Sequence, residues 1–132
     1  MSTNRFQRTR EDHSRERAED YVELIEGLTR EKGEARAVDM AERLGISHVS
    51  VSRTLQRLKR EGYVTMEPYR AVFLTPMGAE LARAARARHD LVHRFLLALG
   101  VPEEVAESDA EGIEHHVSEQ TLDAMRRFIA NA

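Results

Sequence analysis

The chain has 132 residues, no cysteine and a net charge of −3, which is enough for one core or for one small domain with an oligomerisation element. Without cysteine there is no disulfide, no Cys-ligated zinc and no thiol nucleophile. No apolar run approaches membrane-span length and the arginine-bearing start has no apolar signal core, so the expectation is a cytoplasmic protein with no membrane partner.

The small net charge hides an asymmetry. Eight acids and no Lys or Arg lie between Glu103 and Asp123, whereas seven bases face four acids between Arg36 and Arg70. A basic segment suits a polyanion, and an uncompensated acidic one suits a cation or a solvated surface.

Residues 1–13 carry Arg5, Arg8 and Arg10 without an apolar period and read as a flexible basic tail, which could touch DNA phosphates or the minor groove. A helix is predicted over 14–32, with Ala18, Tyr21, Val22, Ile25 and Leu28 as its apolar stripe and Gly33 as its stop. Asp20 and Glu23 are i, i+3 neighbours off that stripe and read alone as surface acids.

A short helix over 37–44 follows, then Gly45, then Ser47 as N-cap of a helix over 48–60. Val51, Leu55 and Leu58 form its spine, while Val49, Ser50, Ser52, Arg53, Gln56, Arg57 and Arg60 face outward. This is the pattern of a helix-turn-helix, in which small polar residues near the second helix start meet base edges and arginines reach bases or phosphates. Ser47, His48, Val49, Ser50, Ser52, Arg53, Gln56 and Arg57 are therefore candidate DNA contacts. Residues 63–66 and 71–75 read as two short strands joined by Glu67-Pro-Tyr-Arg70, a wing whose Arg70 can meet a phosphate.

Thr75-Pro76 starts a long helix reaching Leu99, with Leu81, Ala85, Val92, Phe95 and Leu99 along one side. His89 lies at the edge of that stripe and reads by itself as a partly buried structural histidine; His93 is one turn on. Gly100 stops the helix and Pro102 opens the next, which contains Asp109-Ala-Glu-Gly-Ile-Glu-His-His116. If this stretch is helical, Glu111, Glu114 and His115 fall within roughly a 100° arc, half of an oxygen-rich metal site, with Ile113 and Val117 free to pack behind. Equally, it is an acidic face in water. Ser118 caps a last helix with Leu122, Met125, Phe128 and Ile129, an apolar excess that reads as a dimerisation unit.

The fold class expected is mainly α: a winged helix-turn-helix with a two-stranded wing over 14–75, followed by an all-helical metal-binding and dimerisation domain over 76–132. A carboxylate-bridged hydrolase could use similar ligands, but no separate nucleophile constellation is present, so neither an enzyme nor a small-molecule substrate is expected. A metal-independent winged-helix regulator is the third reading.

The segments Glu19-Asp-Tyr-Val-Glu23, Val38-Asp-Met-Ala41, Arg88-His-Asp90 and Asp109–His116 together resemble the manganese transport regulators (MntR), the compact branch of the diphtheria-toxin-repressor superfamily. The resemblance spans roughly residues 16–130. It implies a manganese-dependent repressor that binds near-palindromic duplex DNA as a homodimer, with a pair of ions per chain. The ligands it implies are Asp20, Glu23, His89, Glu111, Glu114 and His115, with His116 beside them. Four carboxylates and two imidazoles suit Mn²⁺, and the same donors admit Fe²⁺. Iron-type members carry a methionine and a cysteine where this chain has Asp20 and Glu111. An additional site at His93 is the less favoured expectation.

Overall fold

The computed structural model describes residues 2–67 and 71–131, with side chains other than those of residues 2–9 and 12. The elements run α1 (Ser2–Lys32), α2 (Ala37–Leu44), α3 (His48–Arg60), β1 (Val64–Met66), β2 (Val72–Leu74), α4 (Pro76–Ala98), α5 (Glu103–Ile113), a 3-10 turn (Glu114–His116) and α6 (Glu119–Ala130). They form two compact units, Arg17–Arg83 and Ala84–Ala132 together with the residues up to Glu16. The fold is a winged helix-turn-helix followed by a helical unit, as its sequence pattern predicts.

In the unit of residues 17–83, the predicted α1 stripe is buried throughout: Ala18, Tyr21, Val22, Ile25 and Leu28. Tyr21, Ile25 and Leu28 share one core with Met40 of α2, Val51, Leu55 and Leu58 of α3, and Val64 and Val72 of the wing. Each large apolar side chain buried here stabilises the unit by about 1.5–3 kcal/mol. Gly45 takes a left-handed conformation (φ 68°) and its N–H reaches the Ala41 and Glu42 carbonyls, closing α2 and turning the chain into α3. Ser47 Oγ then accepts from the Ser50 amide at 3.1 Å, capping α3 as its position predicts.

The wing pairs β1 and β2 antiparallel in the register Val64↔Leu74, Thr65↔Phe73 and Met66↔Val72. It is anchored from outside by the Val72 amide, which donates to the Ala35 carbonyl at 2.8 Å. Thr75 ties the wing to α4: its hydroxyl donates to the Gly62 carbonyl at 2.6 Å and accepts from the Gly78 amide at 3.1 Å. Gly78 admits no side chain, because a Cβ there would lie 2.1 Å from the Tyr63 carbonyl oxygen.

In the C-terminal unit, Leu91 and Val92 of α4 pack with Ala110 of α5 and Leu122 of α6, flanked by Leu96, Val117, Met125 and Ile129. Phe95 meets Phe128 edge-on, with ring centroids 5.4 Å apart. Ser118 caps α6 by accepting from the Thr121 amide at 3.2 Å.

Three local readings need correction. The stretch over residues 1–13 is not read correctly as a tail: α1 begins at Ser2, not Ser14. No Gly or Pro interrupts residues 2–26, and Arg, Glu and Gln favour helix without any apolar period to announce it. Leu99 lies past the end of α4 and is exposed rather than part of the stripe. Ile113 is exposed as well; only Val117 of that pair packs.

Candidate metal centre

The acidic segment does not continue as one α-helix. α5 ends at Ile113, and Glu114, His115 and His116 form a 3-10 turn that Val117 leaves in extended conformation. Glu111 therefore sits on the last turn of α5, while Glu114 and His115 belong to the tighter turn beyond it. A 3-10 turn has three residues per turn, so the arc drawn on a regular helix does not hold over this stretch. The tightening coincides with burial: Glu114 is 3% exposed and His115 5% exposed. A buried carboxylate beside a buried imidazole is costly unless charge or coordination offsets the lost water.

His89, on α4, meets this turn. Its Nδ1 is 3.1 Å from Glu114 Oε2, and His115 Nε2 is 3.5 Å from Glu114 Oε1. The other nitrogen of His89, Nε2, is 2.9 Å from Glu107 Oε1. Donor atoms of His89, Glu107 and Glu111 all lie within 4.8 Å of one another. Burial acts to lower the His89 pKa, but the carboxylates of Glu114, Glu107 and Glu111 outweigh it and hold the imidazole above its ordinary 6.5. The ring is flanked by acids on both nitrogens, which favours its protonated form while no cation stands among them.

Glu107 joins the site although its place in the acidic run does not mark it. It lies on α5 one turn before Glu111, and the spacing i, i+4 was the signal that could have found it. It also faces His93, whose Nε2 is 3.7 Å from Glu107 Oε2 and 3.0 Å from Glu103 Oε1. His93, Glu103 and Glu107 form a second convergent trio. His116 is half-exposed and its Nε2 lies 3.2 Å from Glu16 Oε2.

Of the six implied ligands, the C-terminal unit holds His89, Glu111, Glu114 and His115. Asp20 and Glu23 lie on α1 within residues 17–83, Asp20 exposed and Glu23 half-buried, off the apolar stripe as read.

On α3, Ser47, His48, Val49, Ser50, Arg53 and Gln56 are exposed, and Ser52 and Arg57 are half-buried. Val49 is 66% exposed. Arg57 Nε lies 3.4 Å from Glu61 Oε1. Arg70, the wing-tip candidate, lies outside the described residues.

Two family models match the chain: "Iron dependent repressor, N-terminal DNA binding domain" over residues 13–72, and "Iron dependent repressor, metal binding and dimerisation domain" over residues 75–132. A transcriptional regulator MntR of Escherichia coli is 57% identical over 123 residues, covering 93% of this chain and 79% of that protein. An HTH-type transcriptional regulator MntR of Bacillus pumilus is 43% identical over 105 residues, covering 80% of this chain and 73% of its own length. Among solved structures, a manganese-dependent transcriptional repressor in complex with manganese is 29% identical with a TM-score of 0.73, covering 86% of this chain and 52% of that one. The manganese regulator SloR is 25% identical with a TM-score of 0.74, covering 87% and 54%. The chain thus spans about half the length of these solved regulators. With its winged helix-turn-helix matched by the first model and its helical unit by the second, the chain belongs to the MntR transcriptional regulators of the iron-dependent repressor family.

Proposed function

We propose that the chain is a manganese-dependent transcriptional repressor, acting in the cytoplasm as a homodimer on near-palindromic operator DNA. The carrying observation is the donor set around the 3-10 turn. His89, Glu111, Glu114 and His115 offer only oxygen and nitrogen, Glu114 and His115 are buried, and Glu107 adds a further carboxylate. Thiolate and thioether are absent from the set, which suits a hard or borderline divalent ion of the Mn²⁺ or Fe²⁺ kind. These residues fit such an ion.

The ligands assigned are Asp20, Glu23, His89, Glu111, Glu114 and His115, for two ions per chain. When bound, the ions supply positive charge and coordination. The chain's own groups do the rest. Carboxylates that repel one another when bare would be held about a common positive charge. His89 would have to be neutral to act as a ligand. A dimer ordered in this way loses less conformational entropy on meeting DNA. Domains are assigned as a winged helix-turn-helix over 14–75 and a metal-binding, dimerising unit over 76–132. Ser47, His48, Val49, Ser50, Ser52, Arg53, Gln56, Arg57 and Arg70 are assigned to DNA. The chain is read as a regulator, with no catalytic group and no small-molecule substrate.

Calorimetric titration of metal-free protein with Mn²⁺ tests this reading. The parent should take up about two ions per chain, and Glu111→Ala and His89→Ala should each lose at least one. Duplex DNA selected from a random pool in the presence of Mn²⁺ should then bind roughly 5–150-fold tighter with metal than without. Equal DNA affinities would overturn the metal-ordering mechanism. Mn²⁺ binding no stronger than that of an ordinary acidic surface would overturn the metal centre itself.

A further inference from the structure

The first half of α1 meets the ligand-bearing turn from a hundred residues away. Arg15 Nη2 donates to the His115 carbonyl at 3.4 Å, and His116 Nε2 lies 3.2 Å from Glu16 Oε2. All four residues belong to the same compact unit. These contacts act on a weak point of the fold. The last carbonyls of a helical segment have no partner within it, and Val117 leaves the 3-10 turn extended at once. A guanidinium at that end satisfies a carbonyl and complements the local dipole. A carboxylate oxygen can only accept, so the Glu16 contact requires the proton on His116 Nε2. The turn between these two contacts carries buried Glu114 and buried His115.

We propose that Arg15 and Glu16 are positioning residues of the metal centre: from α1 they hold the backbone of the Glu114–His116 turn, so that the His115 imidazole is presented before an ion arrives. Arg15 acts through the His115 carbonyl, and Glu16 acts through His116. The inference rests on the metal-centre reading above, in which His115 is a ligand. Glu16 and His115 also offer donor atoms within 4.8 Å of one another, so the test below separates support from ligation. An imidazole held in place does not have to be ordered by the ion, and loss of such support typically weakens metal affinity 10–100-fold.

The test is Mn²⁺ calorimetry on the full chain with Glu16→Ala, Glu16→Gln, His116→Ala, the Glu16→Ala/His116→Ala pair and His115→Ala. Glu16→Ala should weaken Mn²⁺ binding about tenfold with the number of ions unchanged. Glu16→Gln should restore most of the affinity, because its amide oxygen still accepts from His116 Nε2–H. His116→Ala should match Glu16→Ala, and the double variant should be no weaker than either, since all three break one contact. Parent-like affinity in Glu16→Ala overturns the proposal. Loss of an ion in Glu16→Ala without rescue by Glu16→Gln also overturns it, since Glu16 is then a ligand. His115→Ala separates the two levels. If it binds Mn²⁺ as the parent does, the metal-centre reading fails and this inference falls with it. If it loses an ion while Glu16→Ala does not weaken, only this inference fails.

Discussion

The two units bury different things. Residues 17–83 close around eleven buried apolar side chains drawn from α1, the α1–α2 link, α2, α3 and the wing, with Glu19 as the one buried carboxylate among this unit's described residues. The C-terminal unit gathers four in its core and buries Glu114 and His115, while both units leave large apolar side chains exposed, Val49 and Phe73 in the first and Leu99 and Phe128 in the second among them. The first unit is held mainly by apolar burial. The second spends interior volume on a carboxylate and an imidazole, whose lost hydration must be offset by charge or coordination. A metal-dependent regulator is served by such a division, since a ligand stabilises the state that binds it.

Three perturbations sharpen or break the contrast. Leu55→Ala, in the core of the first unit, should cost about 2–5 kcal/mol in thermal or denaturant unfolding, by the same amount with and without Mn²⁺. A loss that Mn²⁺ abolishes would show that the first unit is not self-sufficient. Phe128→Glu places a charge on the exposed face of α6. It should shift the protein from dimer to monomer in sedimentation at micromolar concentration and leave the thermal unfolding of the 17–83 unit within about 0.5 kcal/mol. An unchanged dimer would put the interface elsewhere.

The smallest effect is in pH. The His89 pKa is raised in the folded chain, so in metal-free protein its pairing with Glu114 and Glu107 contributes fully below the unfolded value of 6.5. That contribution fades as pH rises through the folded value. A histidine must be neutral to ligate, so Mn²⁺ affinity should move the opposite way and strengthen over the same rise. Unfolding of metal-free parent and His89→Gln across pH 6–8 checks the first sign, and Mn²⁺ titration of the parent checks the second. A metal-free parent that gains stability on this rise, relative to His89→Gln, would contradict the pairing.

Local chemistry was legible in the residues. The α1 stripe, the Gly45 turn, the Ser47 and Ser118 caps, the Val51–Leu55–Leu58 spine and the Thr75-Pro76 helix start all follow from spacing and side-chain type. Each depends on neighbours within about one helical turn. Glu111, Glu114 and His115 stood out for the same reason. The beginning of α1 did not, because a helix without an apolar period leaves only propensity to read.

What the tertiary structure decided is which distant groups meet. His89 looked like a lone structural histidine until packing brought Glu107 and Glu114 to its two nitrogens, 18 and 25 residues along the chain. Arg15 and Glu16 had no visible task until the 3-10 turn came within reach. That turn itself, where a regular helix was expected, appears only with the burial of Glu114 and His115. The reason is physical. Periodicity records which face of an element is apolar, whereas the pairing of polar groups across elements is set by how those faces stack, and sequence spacing carries no measure of that.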